Sequence, residues 1–464
     1  MSALDKLLSL IGDVNVYDNG PDNLAELQLH AARERVKERR GQIAVLDKRA
    51  HDTGVDAIDS FDDLVPLLFS HTNYKSYPES LVDNQRWEMM NLWLQSLSTR
   101  KISQDIDMRG VQDVDDWMVR LREAGHYVFA SSGTSGKSSF LNQTQVDRER
   151  TFTGLLNGTI WQAPSLNPNA DRPCYCGVPR HSPHRFSEIQ QAMAAAIGAP
   201  GDIHFLTDIP TRAADTNYMG RLRTQIAQGK AAPEEVEEFE RKTREKSLAV
   251  RGAITQFYDN ILENRDRPIF LHTLWPYFHE LAEHAGAKGI KDGDFHPDSV
   301  IMFGGGLKGA QLPEGYQQRV YDFFALSQDN IAHTYGMVEM QVPLPYSSKA
   351  EGYVVPPWVI PLVLDRDGTK LLNHATGSKL VEGRMAFLDL SLEGRWGGLI
   401  TGDKVSVRFD DGAPIVQSIT RYQDLPEGDD KLSCAGTIDS YVRGSIRAVS
   451  TRTESVGVPF AALM

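Results

Sequence analysis

Cysteine is scarce. Cys174, Cys176 and Cys434 are the only three in 464 residues. That makes no disulfide framework and suits a reducing compartment. Long apolar runs are missing too, and none approaches the ~18 residues of a membrane span. The N-terminal stretch MSALDKLLSLIGD has a very short apolar run and an acidic residue before its only lysine, which makes a poor secretory signal. Positive charge is in deficit: 49 Lys and Arg stand against 62 Asp and Glu, a formal net charge of -13. This argues against a nucleic-acid surface, which needs a basic face. Low-complexity tracts and internal repeats are absent. The expectation is a soluble cytoplasmic protein with neither a membrane nor a nucleic-acid partner.

What is there is an ordinary globular composition, 41% hydrophobic and 24% charged, over a length that asks for more than one small unit. Residues 1–126 read as helical. NLAELQLHAARERVKERRGQIAVLDKRAHDTG has apolar residues at helical spacing and ends on glycine. Its basic cluster, Arg33 to Arg40, is interleaved with Glu34 and Glu38 and reads as a solvated, salt-bridged face. SFDDLVPLLF and VQDVDDWMVRLREAG each open with Ser or Asp near a helix start.

The pattern changes at Tyr127, where an α/β region, 127–357, begins. YVFA, a loop, SFLNQT and VDRERTFTGLLNGTIWQ read as strand, loop, strand and helix. Asp215 to Asn264 is helix-rich, and its charge run EEVEEFERKTREK reads as an exposed helix face. IFLHTLWPYFHELAEHAGA is strand then helix, SVIMFGGG is strand then glycine loop, and EGYQQRVYDFFA is a helix before NIAHTYGMVEM. Strands that end in Gly-rich loops and lead into helices predict an α/β fold. Residues 358–436 are β-rich, with AFLDL, GGLITGDKVSVRF and GAPIVQSITRY. Residues 437–464 form a short remnant.

The stretch ASSGTSGKSSF, Ala130 to Phe140, is a phosphate-type loop after a strand. Gly136, Lys137 and Ser138 fit the end of a Walker A motif, G-x-x-x-x-G-K-[ST]. Ser131 stands where its first glycine belongs. A helix should also start at Lys137 so that its N-terminus faces the phosphates, whereas SSFLNQT reads as extended and the helix starts near Gln145. A P-loop NTPase is therefore the weaker alternative.

The loop resembles the signature loop of the adenylate-forming superfamily of acyl-CoA synthetases, luciferase and peptide-synthetase adenylation domains. Ser131, Ser132, Gly133, Thr134, Ser135 and Gly136 match it in order, while Ser138 and Ser139 replace its Pro and Lys. Five further segments resemble the family in the family's order. They are the helix in LWPYFHELAEHAG, the glycine loop FGGGLKG, HTYGMVEM for Tyr-Gly-x-Thr-Glu, and LITGDKV for Thr-Gly-Asp followed by GTIDSYVRG at the hinge. The Gly-Gly-Gly-x-Lys-Gly form is most similar to LuxE-type acyl-protein synthetases and phenylacetate–CoA ligase relatives. The resemblance spans about Tyr127 to Gly444.

That resemblance implies a large α/β domain of mixed sheets and helices, a β-rich subdomain, and a C-terminal domain that is truncated or vestigial. It implies attack of a carboxylate on the α-phosphorus of ATP, with Mg2+ as the metal and pyrophosphate as the leaving group. Two anions must be brought together, which needs positioning and charge compensation. Ser131 to Gly136 and Lys137 are the implied phosphate contacts. Glu339 is the implied Mg2+ ligand, Tyr335 lies against adenine, Gly336 allows close approach, and Asp403 holds the ribose hydroxyls. Gly304, Gly305, Gly306 and Met337 are the implied acid-binding positions. Val338 stands at the family's Thr, so Thr334 is the candidate replacement hydroxyl. Thr437 stands at the hinge arginine, before Asp439. The sequence ends 25 residues after Asp439, ahead of the family's catalytic lysine. Lys308 is the expected substitute cation and Lys137 the second choice, with a solvent-facing loop lysine as the plain alternative for Lys308.

Cys174, Cys176, His181 and His184 give C-x-C-x4-H-x2-H. These are zinc-type ligands, yet alternation in CYCGV equally suits a strand with two small buried residues. His181, His184 and Phe186 otherwise border the acid pocket. Trp275, Phe278 and Phe303 read either as an apolar pocket or as core. Cys434 is a candidate acyl acceptor or a small buried residue. The implied partners are a small carboxylic acid and a thiol acceptor, either CoA or a partner acyl reductase or carrier protein. A non-catalytic ATP- and acid-binding module is the competing class.

Overall fold

The computed structural model describes residues 1–131, 137–166, 168–169, 171–229, 231–307, 310–372, 380–409 and 412–425. Its strands begin with β1 (Phe69–Ser70), β2 (Tyr127–Ala130), β3 (Phe140–Gln143), β4 (Arg172–Pro179) and β5 (Gly198–Thr207). Next come β6 (Phe270–Thr273), β7 (Val300–Phe303), β8 (Ile331–Tyr335), β9 (Leu344–Ser347) and β10 (Gly352–Val354). The last are β11 (Val359–Leu364), β12 (Leu380–Asp389), β13 (Gly398–Arg408) and β14 (Ile415–Arg421). The fold is the mixed α/β type that the alternation of strands, glycine loops and helices predicts. It forms two compact units: Met1–Phe129 with Ser139–Arg150 and Val355–Met464, and Ala130–Ser138 with Thr151–Val354.

In the first unit the long N-terminal helical run is two helices, Leu24–Arg40 and Ala44–Thr53, and Gly54 caps the second with φ 70°. That left-handed conformation costs glycine no Cβ clash. SFDDLVPLLF forms a 3-10 helix, Phe61–Leu67, with a Ser60–Asp63 capping box. Pro66 inside it lacks the N–H that an α-helix would need. The helix Val114–Glu123 is capped by Asp113, whose carboxylate accepts from the N–H groups of Asp115 and Asp116. Strands β11, β12, β13 and β14 pair in that order, all antiparallel, and β1 lies parallel to β13.

The basic helix face departs from its reading. Arg35 and Arg39 are buried, at 2% and 1% exposure, not solvated. Both pair with Glu393, at 3.2 and 2.6 Å. Arg35 also donates to Leu390 O at 2.6 Å, and Arg39 to Leu392 O at 3.0 Å. The carbonyls of the turn after β12 need donors, and a guanidinium supplies several in one plane.

In the second unit the sheet order is β5-β4-β6-β7-β8-β9-β10. The strands from β5 to β8 run parallel, and β9 and β10 are antiparallel additions. Both faces are covered, as a parallel sheet requires. Cys174, Cys176, Phe270, Met302 and Ala332 meet Met193, Ala194 and Ile197 of the helix Arg185–Ile197. On the other face Tyr175, Leu271, Ile301 and Phe303 meet Phe278 and Leu281 of the helix Trp275–Ala287 and Phe323 of the helix Tyr316–Phe324. The helix Pro233–Glu263 carries the charge run, and Glu237, Arg241, Lys242 and Glu245 are exposed as read. Among the described residues no helix is long and apolar enough to cross a membrane.

Candidate functional site

Ligands of open α/β sheets bind at the carboxyl ends of the parallel strands. In the second unit β7 ends at Phe303 and enters Gly304–Gly305–Gly306, while its neighbour β8 ends at Tyr335 and enters Gly336. Phe303 pairs with His333 across the two strands, so the glycine loop and the Tyr-Gly turn start side by side. Thr334 ties them: its hydroxyl donates to Phe303 O at 3.3 Å. Gly305 has φ 73°, a conformation that favours glycine. Gly336 is needed for packing, since a Cβ there would lie 2.9 Å from Pro343 Cβ. Tyr335 is half-buried, with its ring 5.9 Å from that of Tyr353. Met337, Val338 and Glu339 are half-buried as well.

The Glu339 segment is held from behind. Arg185, 3% exposed, donates from Nη1 to Val338 O at 2.9 Å and to Met340 O, and from Nη2 to Gln341 O and to Thr151 Oγ1 at 2.9 Å. The residue before it reaches the base of the Ser/Gly/Thr loop. His184 forms a parallel bridge with Ala130, and its Nδ1 lies 3.2 Å from Ala130 O. Of that loop Ser131 and Lys137 are described and half-buried. Ser132, Gly133, Thr134, Ser135 and Gly136 lie outside the described residues, as do Lys308, Gly309, Cys434, Thr437 and Asp439. At the loop's far end the Ser138 N–H donates to Asn217 Oδ1 at 3.4 Å. No helix starts at Lys137. The chain continues into β3 at Phe140, and the helix Gln145–Gln162 follows, as expected. The helix start that a Walker A motif needs at Lys137 is therefore absent.

Aromatic rings line the inner side of the glycine loop. Phe303 stacks on Trp275 at 4.0 Å and on His333 at 4.7 Å. Phe278 and Phe303 are buried core residues, not an open apolar pocket, because they fill the space under two helices. His333 is pulled down to about 4 by burial, and its Nε2 is 3.1 Å from the Tyr321 hydroxyl. His272 is fully buried and pulled down to about 3 by that burial, and among the described residues neither ring nitrogen has a hydrogen-bond partner. Cys174 and Cys176 are two small buried residues of β4, with Cys176 Sγ 3.6 Å from Gln190 O. His181 is exposed. Among the described residues no group of three His, Cys, Asp or Glu could hold a metal ion, so the zinc-type reading of these four residues has no support.

Asp403, in the first unit, sits within β13 and not in a turn. It is 8% exposed, its N–H donates to Thr401 Oγ1 at 3.1 Å, and its carboxylate is 3.8 Å from Arg421 Nε.

No protein-family model matches the chain, and no curated protein does. Solved structures do. An open conformation of 2-hydroxyisobutyryl-CoA ligase, in complex with 2-HIB-AMP and CoA, aligns with a TM-score of 0.51 at 12% identity, over 86% of this chain and 75% of that one. The chain has the fold of that ligase. An acyl-CoA synthetase (AMP-forming)/AMP-acid ligase II-like protein from Dyadobacter fermentans aligns at 14% identity over 70% of this chain and 71% of that one, with a TM-score of 0.34. The Vibrio cholerae adenylation domain AlmE, in complex with glycyl-adenosine-5'-phosphate, aligns at 12% identity over 66% of this chain and 50% of that one, with a TM-score of 0.35.

Sequence reasoning missed Arg185. One signal was available: a cation at the first position of a helix opposes the helix dipole, so its retention there asks for another partner.

Proposed function

We propose that the protein activates a carboxylic acid with ATP. A carboxylate oxygen bonds to the α-phosphorus, the bond from that phosphorus to the bridging oxygen breaks, and pyrophosphate leaves with the electron pair. The product is an acyl adenylate. A thiolate then attacks the acyl carbonyl and AMP departs. The acceptor is CoA, or a cysteine of a partner reductase or carrier protein, in the manner of the LuxE-type branch.

The observation that carries this reading is the pairing of Phe303 with His333. It sets the glycine loop beside the Tyr-Gly-Met-Val-Glu turn, two segments that resemble successive motifs of the adenylate-forming family. Ser131 to Lys137 would cradle the β- and γ-phosphates, Tyr335 would face the adenine, and Asp403 would accept from the ribose hydroxyls. Gly304, Gly305, Gly306 and Met337 would border the acid. Thr334 would donate near the α-phosphate, and Lys308, or Lys137 in its place, would supply positive charge. Glu339 would be the protein's own ligand to Mg2+. That ion takes one or two carboxylates, with phosphate and water oxygens completing its shell, and Glu339 offers one half-buried carboxylate. When bound, Mg2+ neutralises phosphate charge during the displacement.

Incubation with ATP and a panel of carboxylic acids tests the reading. Acid-dependent pyrophosphate supports it. ATP binding without turnover would favour the non-catalytic module instead.

A further inference from the structure

We infer that His184 and Arg185 form a clasp that fixes Glu339 relative to the base of the Ser/Gly/Thr loop, making Arg185 a positioning residue for Mg2+-dependent ATP binding. This rests on the acid-activation reading of the same site. Arg185 begins the helix Arg185–Ile197, where its charge opposes the helix dipole. It is also buried, which adds a desolvation cost. Such a residue persists only where its donors are well used. Its planar fork reaches four acceptors, and three are the carbonyls of Val338, Met340 and Gln341. Those residues bracket Glu339. Met340 and Gln341 are themselves buried, at 1% and 0% exposure, while Glu339 is half-buried. Carbonyls converging on one cation cannot rotate without leaving buried groups unpaired. The backbone on both sides of Glu339 is thereby set, and with it the origin of the carboxylate.

The other half of the clasp is one residue away. The Ala130 N–H donates to Pro183 O at 3.4 Å, and Ala130 O lies 3.2 Å from His184 Nδ1. A carbonyl can only accept, so Nδ1 carries the proton in this contact. Ala130 leads directly into Ser131. Two consecutive residues, about 3.8 Å apart at Cα, therefore tie the start of one proposed phosphate segment to the proposed metal-holding segment.

Calorimetric ATP titrations over a series of Mg2+ concentrations test the clasp. The proteins are the full chain as wild type, Arg185→Lys, Thr151→Val, Glu339→Gln and the Arg185→Lys/Glu339→Gln pair. Lysine keeps the charge but cannot reach four acceptors in one plane. Arg185→Lys is expected to raise the half-saturating Mg2+ concentration by about 10-fold or more, as disturbing the support of a metal ligand does. Thr151→Val removes one acceptor and shifts it the same way by a smaller factor, and it decides the matter if Arg185→Lys does not fold. Because Arg185 acts through Glu339, the double variant should bind no more weakly than Glu339→Gln alone. Unchanged Mg2+ dependence in a less stable Arg185→Lys, or fully multiplicative effects in the double variant, overturns the clasp and leaves Arg185 a packing residue. ATP binding by the wild type that ignores Mg2+ overturns the acid-activation reading itself, and the role given to Glu339 with it.

Discussion

His272 stands where a side chain at position 304 would go. A Cβ on Gly304 would lie 2.9 Å from His272 Nε2 and 3.1 Å from the Phe186 ring. The two rings themselves pack edge to face at 5.0 Å. The first glycine of the loop is therefore set by a buried histidine on the neighbouring strand.

Gly304→Ala should be destabilising by about 1–3 kcal/mol, the usual cost of overpacking. Gly306→Ala is the control, since a Cβ there meets nothing within 4 Å among the described residues, and it should change stability by less than about 0.5 kcal/mol. Thermal unfolding of the two variants checks this, and equal shifts would contradict it.

The same histidine makes stability depend on pH. His272 is held down to about 3 and His333 to about 4 by burial, from an ordinary value of 6.5. Below pH 6.5 the unfolded chain binds these protons and the native protein does not, so stability falls as pH drops from 6.5 toward 4. The unfolding temperature should be lower at pH 5 than at pH 7. His272→Leu should flatten that slope by about one proton, and an unchanged slope would show that His272 is not held neutral.

Glu393 has the opposite chemistry and the same sign. Burial pushes its carboxyl up, but Arg35, Arg150 and Arg39 together bring it to about 2, from 4.5. Its contribution is full above pH 4.5 and is lost as pH falls through about 2. Glu393→Gln should cost about 3 kcal/mol at neutral pH, the low end for breaking a buried pair, because the side chain is 25% exposed. The deficit should shrink between pH 4.5 and pH 2. Denaturant unfolding at pH 7 and pH 3 measures both, and a variant as stable as the wild type at pH 7 would refute the assignment.

Asp403→Ala should weaken ATP binding by about 1.5–3 kcal/mol, the range for hydrogen bonds to a charged group. The measurement is calorimetric, on protein shown to be folded by circular dichroism. Unchanged affinity removes Asp403 from the ribose site.

Local signals explain what could be read beforehand. Phe303 to Gly306 is legible because a strand running into glycine is a contiguous pattern, and Tyr335 to Gly336 because it resembles a short contiguous motif. The helix at Gln145 followed from periodicity. Arg35 and Arg39 misled because a charge run looks solvated wherever its partner is remote, and Glu393 lies 358 and 354 residues away. Arg185 went unnoticed for the same reason, with Val338 153 positions distant. Phe278 and Phe303 could not be sorted into pocket or core, since spacing within one strand or helix does not show what covers it.

Acid activation itself is tested most directly by the fate of ATP. The full-length protein would be incubated with Mg2+, ATP labelled on the γ-phosphate and a panel of short, long, aromatic and hydroxylated carboxylic acids. Labelled phosphate species would be separated, and acyl adenylate sought by mass spectrometry. The account predicts acid-dependent label in pyrophosphate, with AMP esters of the active acids, and loss of both in Glu339→Gln. Label released only as orthophosphate, with ADP as the second product and no response to any acid, would contradict it.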